Sequence, residues 1–321
     1  MAFSRTNYES LTNKHIVPRL ADATFKGDPF AYWLRENHRV MLSGGRNIVL
    51  PLIIKEGNAR WYDGVDVSDI EVLEPFNSAQ ANWHWLEATA ALPETEIDKN
   101  GSEDGIINLL DATRQWIEQT LTENLSDALF GTNSSNTKIM PGLQDMFGAS
   151  GTSYLDLLDT DLASPASWLT NIMTPLTAGT ITEEEMRRMR GSVTRGASRP
   201  NFGLTNFPEY NTIWTLAQSD QRFGMEKVAR IGFDHIVFED MPIMPDEHSV
   251  GTVYGTSDSW LMFLNMDYVQ LFVHENKAFA TRVYDPIPQQ QVWITKVLLG
   301  ASLTTSNRRM HAVQKVLNPT N

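Results

Sequence analysis

Two groups of carboxylates have the residue type and spacing that catalysis or metal binding could use. Glu87, Glu94 and Glu96 suggest the acid pair of a glycosidase, in which one carboxyl group donates a proton and the other acts as base or nucleophile. The second group resembles a calcium-binding loop but lacks its central glycine and terminal glutamate. Its members are Asp156, Asp159 and Asp161. Because the chain has 39 acidic residues, the glutamates are weak evidence for an acid pair, and a solvated turn explains the aspartates better than a calcium site.

Positive and aromatic side chains form two further candidate sites. A cluster of arginines surrounds a loop rich in glycine and serine, and it suits a phosphate group, an acidic partner or a solvated helix end. The cluster consists of Arg187, Arg188, Arg190, Arg195 and Arg199. Trp83 and Trp85, with Trp61 and Trp116 further along the chain, suit a sugar platform or hydrophobic packing, and we favour packing.

Common catalytic motifs are missing from the sequence. It has no G-x-S-x-G turn, phosphate-binding glycine loop, G-x-G-x-x-G or H-E-x-x-H pattern, and Gly148 to Gly151 has the wrong spacing for a nucleophile turn. Zero cysteines exclude disulfides and thiolate sites, and no two of the seven histidines are four residues apart. We therefore predict no enzyme activity, no cofactor and no metal. A carbohydrate-active enzyme that uses Glu87 or Glu94 is the alternative from another class.

Composition limits the class of protein. With 321 residues, 41% of them hydrophobic, the chain is long enough for a large core or two linked domains. The net charge of −13 argues against a protein whose main task is to grip nucleic acid, because phosphates require a dense basic face. The first residues do not resemble a secretory signal, so we expect a cytosolic protein with no membrane partner.

Charge is distributed unevenly along the chain. Residues 1–60 contain nine basic and five acidic side chains, a balance of +4, whereas residues 61–110 contain eleven acidic side chains and one lysine, a balance of −10. One interpretation is two solvated surfaces. The other is a basic arm that lies on an acidic loop, including the loop of a neighbouring copy.

A hairpin precedes the first long helix. Residues 48–54 predict a strand, which Pro51 restricts to an edge or a bulge. A turn at 55–58 follows, and residues 59–62 are predicted to begin the return, with one apolar face along 65–73. Because a two-stranded hairpin is marginal in water, it needs another surface to lie on.

The remaining elements alternate between helices and strands. Apolar residues at helical spacing predict a helix of about seven turns over 106–130 that ends at Gly131. Asp28 and Pro29 open a shorter helix, and Thr182 caps another. Further predictions are strands at 202–205, 236–238, 260–264, 269–274, 292–303 and 310–317, and a helix at 208–218.

The order of these parts resembles the major capsid proteins of tailed bacteriophages, whose fold encapsulin compartments share. Six short motifs in the family's order carry the resemblance. They are Gly44-Gly45-Arg46 with Ile48 to Leu52, Ala59 and Gly64; Ile106 to Phe130; Gly142-Leu143; Pro200 to Thr205; Gly232-Phe233, Phe238, Met241-Pro242-Ile243 and Asp246; and Gly300, Leu303 and Asn307-Arg308-Arg309.

The resemblance implies an α+β fold with an N-terminal arm at 1–42 and an extended β-hairpin loop at 43–98. It implies a discontinuous peripheral domain, 99–154 with 279–321, that contains the long spine helix, and an axial domain at 155–278. The function expected is self-assembly into hexamers and pentamers of an icosahedral shell around the double-stranded DNA of a tailed phage. The alternative is an encapsulin-like compartment.

The same resemblance implies partners and contact residues. Besides itself, the chain is expected to meet a separate scaffolding protein, a portal, a decoration protein and loosely packaged DNA, in a virion assembled in the host cytoplasm. The arm and the loop are expected to lie on adjacent subunits. Predicted contacts between subunits are Arg5, Lys14, Arg19, Arg46, Lys55, Trp61, Asp63, Asp66, Glu71 and Glu74.

Overall fold

A computed structural model provides the three-dimensional description of the chain. It describes residues 28–53, 59–64, 74, 76–95, 103–148, 152–158, 171–173, 181–220, 235–249, 258–284 and 291–317. The helices in these ranges are α1 (Pro29–Asn37), α2 (Glu103–Phe130), α3 (Leu143–Met146), α4 (Glu183–Val193) and α5 (Phe207–Asp220). Helices and strands are mixed along the chain, which confirms the predicted α+β class.

The strands form two larger sheets and two hairpins. In chain order they are β1 (Arg39–Leu42), β2 (Asn47–Ile53), β3 (Phe76–Asn82), β4 (His84–Pro93), β5 (Ser153–Tyr154), β6 (Leu157–Leu158), β7 (Asn171–Met173), β8 (Phe202–Thr205), β9 (Ile236–Phe238), β10 (Met241–Pro245), β11 (Asp258–Leu264), β12 (Val269–His274), β13 (Ala280–Tyr284), β14 (Val292–Thr305) and β15 (Ala312–Leu317). The hairpins are β2–β3 and β5–β6.

The five-stranded sheet is built around the long strand β14. One edge of β14 pairs along its length with antiparallel β4, from Val292 opposite Pro93 to Ala301 opposite His84. The other edge pairs first with β13 and then with β12, and parallel β1 completes the sheet beside β12. This sheet carries the largest core, into which α2 packs.

The six-stranded sheet has the order β7-β15-β11-β8-β10-β9. Helices α4 and α5 cover a second core on this sheet, where Met186, Met189 and Ile213 are fully buried. Thr182 caps α4 as predicted, through a reciprocal capping box in which its side chain accepts from Glu185 N–H and the carboxylate of Glu185 accepts from Thr182 N–H.

The long helix confirms the periodicity read from the sequence. Ile117, Leu121, Leu125 and Leu129 recur every four residues and are all buried in the large core. The helix ends before Gly131, where a Cβ atom would lie 2.7 Å from the carbonyl oxygen of Asp127. No helix among the described residues is long and apolar enough to cross a membrane.

The predicted return of the hairpin is wrong. The partner of β2 is Phe76–Asn82, whereas residues 59–63 form no strand. Pro51 lies in this two-stranded ribbon, opposite Ser78, so its predicted place at an edge is confirmed. The predicted turn at 55–58 and the apolar face at 65–73 lie outside the described residues.

Strand pairing connects segments that the sequence assigns to different units. Strand β4, within the predicted loop 43–98, pairs with β14, and β15, within 279–321, pairs with β11. The two tail strands occur as predicted but belong to different sheets. The division into arm, loop, peripheral domain and axial domain stays a prediction.

Candidate assembly surface

Within the described residues, the β2–β3 hairpin buries one of its two faces. On the inner face, Ile48 opposite Ala81 and Leu50 opposite Ala79 pack against the large core, and Ile48, Ala79 and Ala81 are buried. The Gln80 N–H donates to the Leu155 carbonyl oxygen at 2.9 Å, which attaches the hairpin to the turn between β5 and β6. The base of the hairpin is therefore part of the folded subunit.

The outer face of the same hairpin is exposed; it is apolar along β2 and at Phe76, whereas Ser78, Gln80 and Asn82 make the rest of β3 polar on this face. Val49 and Ile53 on β2 point away from the core, and Ile53 is 74% exposed. Its register partner Phe76 is 75% exposed, and in the connection between the strands Trp61 is fully exposed, with Tyr62 largely so. We call Ile53, Trp61, Tyr62 and Phe76 the hairpin tip. The combined area of these side chains is an unusual apolar exposure for an isolated subunit.

Aromatic residues pack at the base of the hairpin. The indole N–H of Trp83 donates to the Gly45 carbonyl oxygen at 3.0 Å, and its ring stacks on Trp85 with centroids 6.3 Å apart. The ring of Trp85 lies over Gly300 on β14, where a Cβ atom would be under 3.0 Å away. Burial lowers the pKa of His84 between them, against a raising effect of the Asn82 backbone. Packing, the interpretation preferred from the sequence, accounts for Trp83, whereas Trp85 contacts Trp83 and Gly300 but remains 56% exposed.

Four of the ten predicted contact residues lie in the described part of the chain. Arg46 is exposed at the start of β2, beside the Gly45 carbonyl that Trp83 binds. Trp61, Asp63 and Glu74 are exposed in the connection between β2 and β3. The other six lie outside the described residues: Arg5, Lys14, Arg19, Lys55, Asp66 and Glu71. Their contacts with a neighbouring subunit stay a prediction.

Sequence reasoning missed Ile53, Tyr62 and Phe76 as surface residues. The signal was present in β2, because the sequence NIVLPLI is apolar on both faces of the strand. A strand with two apolar faces is typical of one that is covered on both sides. Among the described residues only the inner face is covered, and the outer face is exposed.

The carboxylates proposed for glycosidase chemistry are not brought together. Glu87 lies within β4 and forms an ion pair with Lys296 at 3.5 Å, whereas Glu94 follows the far end of the same strand. Six residues of extended chain separate Glu87 from Pro93, or about 20 Å. Glycosidase pairs are about 5–10 Å apart, so Glu87 and Glu94 cannot form one. Glu96 lies outside the described residues.

The arginine and aspartate groups also have structural roles. Arg187 and Arg190 both bind the Glu239 carboxylate in the turn between β9 and β10, with Arg190 largely buried. Asp156 occupies the exposed two-residue turn between β5 and β6 at φ 60°, a conformation that aspartate tolerates. Asp159 and Asp161 lie outside the described residues. The predicted solvated turn accounts for Asp156.

A second junction forms where the last turn of α2 meets α3 and the tail. A Cβ atom on Gly142 would lie under 3.0 Å from the carbonyl oxygens of Ala128, Leu129 and Gly131. Arg308, only 1% exposed, donates from Nε to the Met146 carbonyl oxygen at 2.9 Å and lies over the Tyr154 ring. The motifs Gly142-Leu143 and Asn307-Arg308-Arg309 therefore both contribute to the buried contacts around α3.

No family model matches this chain, and no curated protein sequence matches it. Solved structures, in contrast, match the chain over most of its length. A capsid subunit of cyanophage A-1(L) superposes with a TM-score of 0.68 at 11% identity, covering 91% of this chain and 93% of the cyanophage chain. The chain has the tailed-phage capsid fold.

Encapsulins share this capsid fold. The SrpI encapsulin of Synechococcus elongatus PCC 7942 superposes with a TM-score of 0.59 at 11% identity, covering 100% of this chain and 98% of the encapsulin. A chain of Mycobacterium phage Bobi gives 0.58 at 12% identity, covering 100% of both chains. The resemblance read from the sequence is thus confirmed as a fold. At such identities, the capsid fold does not transfer individual residue roles.

Proposed function

We propose that this chain is a major capsid protein that assembles into hexamers and pentamers of an icosahedral shell around the double-stranded DNA of a tailed phage. The observation that carries the proposal is a capsid fold over nearly the whole chain, with a hairpin whose second apolar face is exposed. Such a face is costly on a lone subunit and is covered when subunits pack side by side.

The hairpin tip provides the attraction between subunits. Its three aromatic rings and Ile53 are exposed at the far end of a ribbon whose base is fixed to the core. Burying one such side chain contributes roughly 2 kcal/mol. Several copies around a ring give many such contacts, so assembly is strongly cooperative even when each pair is weak.

Charge complementarity provides orientation. The basic segment 1–60 and the acidic segment 61–110 carry balances of +4 and −10, and exposed Arg46 and Glu74 belong to these two segments. Complementary charges favour correct encounters and disfavour like-to-like contacts. In this proposal, the basic arm of one subunit pairs with the acidic loop of the next, through the ten contact residues named above.

An acidic shell also suits its contents. With a net charge of −13, the protein repels the DNA phosphates on average, which allows dense packing of DNA without tight adhesion. The proposal includes a separate scaffolding protein, a portal and a decoration protein as partners, and assembly in the host cytoplasm.

Negative-stain electron microscopy of the purified full chain, alone and with a scaffolding protein encoded beside it, tests the proposal. Closed shells or rings of five or six subunits are expected. Serine at Trp61 and Phe76 should abolish them, while Phe207→Ser, which removes a half-exposed ring on α5, serves as the control. Monomers under every condition would refute the shell function, and equal loss in the control would remove the special role of the hairpin tip.

Charge reversal tests the pairing. Arg46→Glu and Glu74→Arg are each expected to weaken assembly, and the double variant should recover part of it if the two side chains meet between subunits. Salt should weaken the wild-type contacts in the same assay. A double variant that is no better than the worse single variant would contradict direct pairing.

An encapsulin-like compartment is the second candidate, favoured by the match to the full length of SrpI. The two functions differ in what the shell requires and contains. Shells that form without a scaffold and enclose one specific protein would favour the compartment. Dependence on a scaffold, with nuclease-protected DNA in particles from the native source, would favour the capsid.

A further inference from the structure

A cluster of charged side chains lies where the start of α1 meets the end of α2 and the loop after β10. It contains Asp28, Asp127, Asp246, Glu247 and His248. Within the described residues, the ion pairs of these carboxylates all go to His248. Three carboxylates, those of Asp28, Asp127 and Glu247, therefore share one imidazole, while Asp246 accepts from the His248 backbone N–H.

The imidazole of His248 has the orientation of a metal ligand. Its Nδ1 lies 2.9 Å from Asp127 Oδ1, so Nδ1–H donates to this carboxylate and Nε2 is the ring nitrogen that a metal would bind in place of a proton. Nε2 in turn lies 3.8 Å from Asp28 Oδ1 and 3.6 Å from Glu247 Oε1. A carboxylate behind a histidine, with the other ring nitrogen facing further ligands, is the usual arrangement around zinc.

The donor atoms are close enough to share one ion. Donor atoms of Asp28, Glu247 and His248 all lie within 4.8 Å of one another. Ligands about 2.0–2.2 Å from zinc lie roughly 3.5 Å apart, so the site needs a small inward shift. Glu247 is largely exposed and free to make it, while Asp28 is held by Ser126, whose hydroxyl donates to Oδ2.

The buried carboxyl group of Asp246 lies beside His248 in this cluster. Its side chain is 1% exposed, Oδ1 accepts from His248 N–H at 3.0 Å, and the buried Oδ2 has no hydrogen-bond partner. A cation nearby lowers the cost of burying such a carboxyl group.

We propose that Asp28, Glu247 and His248 bind a divalent transition-metal ion of the zinc type, with Asp127 orienting His248. The imidazole and carboxylate donors suit zinc or cobalt better than magnesium, which prefers oxygen ligands. The ion links Asp28, at the start of α1, to the end of α2 and to the loop that follows β10 of the six-stranded sheet. The site lies within one subunit and does not depend on assembly.

Calorimetric titration of the chelator-treated, unassembled full chain with Zn²⁺ tests the site. One ion per chain is expected, with micromolar or tighter affinity. Glu247→Gln and His248→Gln should each weaken binding at least tenfold, and Asp127→Asn about 10- to 100-fold. Glu123→Gln, an exposed carboxylate one turn earlier on α2, and His274→Gln should bind as the wild type does.

Two further measurements identify the coordination. Co²⁺ should give visible absorption bands that disappear in His248→Gln, and Mg²⁺ should not compete. Zn²⁺ at a hundredfold excess over its Kd should raise the Tm of the wild type by several degrees, but not that of Glu247→Gln. Glu247 is exposed, so that variant tests the site without disturbing the core. Zinc binding that persists unchanged in both Glu247→Gln and His248→Gln, or no binding at micromolar concentrations, would overturn the proposal.

Discussion

The hairpin tip and the junction at the end of α2 use their side chains in opposite ways. At the tip, Trp61 and Phe76 are exposed and nothing in the described chain covers their outer face. At the junction, Gly142 fits against three backbone carbonyls and Arg308 is buried with its Nε–H bonded to Met146. The junction stabilises the subunit by itself, whereas the tip has apolar area that only a neighbour can bury. This contrast predicts that variants at the two places fail at different stages, folding or assembly.

Alanine at Gly142 should have the largest effect on folding. Its Cβ would collide with carbonyl oxygens of the α2 backbone, which cannot rotate away as a side chain does. We expect a loss of about 3 kcal/mol in the free energy of unfolding, measured by urea denaturation. Gly191→Ala is the control, because a Cβ there has no neighbour within 4 Å and alanine favours the helix. A Gly142→Ala protein as stable as the control would show that the close packing at Gly142 does not stabilise the subunit.

Methionine at Arg308 should cost about 2 kcal/mol. The change keeps a long apolar side chain but removes the hydrogen bond to the Met146 carbonyl and the charge over Tyr154. Arg309→Met, at a half-buried neighbouring position, should cost less than about 1 kcal/mol. Denaturation midpoints of the wild type, Arg308→Met and Arg309→Met measure the two losses of stability. An equal loss at both arginines would contradict a specific role for Arg308.

His311, next to the same turn, should make stability depend on pH. The imidazole is fully buried, with Nδ1 accepting from Asn265 N–H and Nε2 bonded to Thr305, and burial lowers its pKa to about 3, assisted by the charge of Arg308. In the unfolded chain the pKa is near 6.5. The contribution of the neutral ring is therefore complete above about pH 6.5 and decreases as the pH falls towards 3.

His311→Gln should lose this contribution. Its free energy of unfolding should decrease less than that of the wild type between pH 7 and pH 4, a range over which urea denaturation of both proteins gives the difference directly. Comparing the two proteins matters because the buried carboxyl of Asp246, with its raised pKa, has the opposite dependence on pH. Parallel pH profiles would show that His311 is protonated in the folded protein.

Changes at the hairpin tip should have the smallest effect on the subunit. Replacing Trp61 and Phe76 by serine should alter the free energy of unfolding of unassembled protein by less than about 0.5 kcal/mol, because neither ring is buried. Urea denaturation at protein concentrations too low for assembly measures this free energy of unfolding. A loss above 1 kcal/mol would mean that the tip already packs within its own subunit, and the contrast with the junction would fail.

Local patterns were sufficient for several elements. The spacing of Ile117, Leu121, Leu125 and Leu129 specifies a helix with one buried face, and Thr182 with Glu185 specifies where α4 begins. The β-branched residues along β2 predict a strand, and Pro51 predicts its position in a ribbon. These features depend on residues within one or two turns of each other, so the sequence alone expresses them.

Pairing over longer distances was less predictable. The return strand was placed at 59–62 because it lay closest to the turn, but β2 pairs with Phe76–Asn82 instead. In this register the small residues Ala79 and Ala81 lie opposite Leu50 and Ile48, where the inner face packs on the core. The exposed hairpin tip and the missed residues Ile53, Tyr62 and Phe76 follow from this register.

The sequence by itself determined the composition, the charge reversal, the long helix and the order of parts that resembles phage capsid proteins. Only the tertiary structure decided which apolar face is exposed, which arginine is buried, and that Asp127 and His248, 121 residues apart, share a hydrogen bond. The physical reason is that periodicity and capping act between neighbours along the chain. Burial and ligand geometry depend on side chains that folding alone brings together.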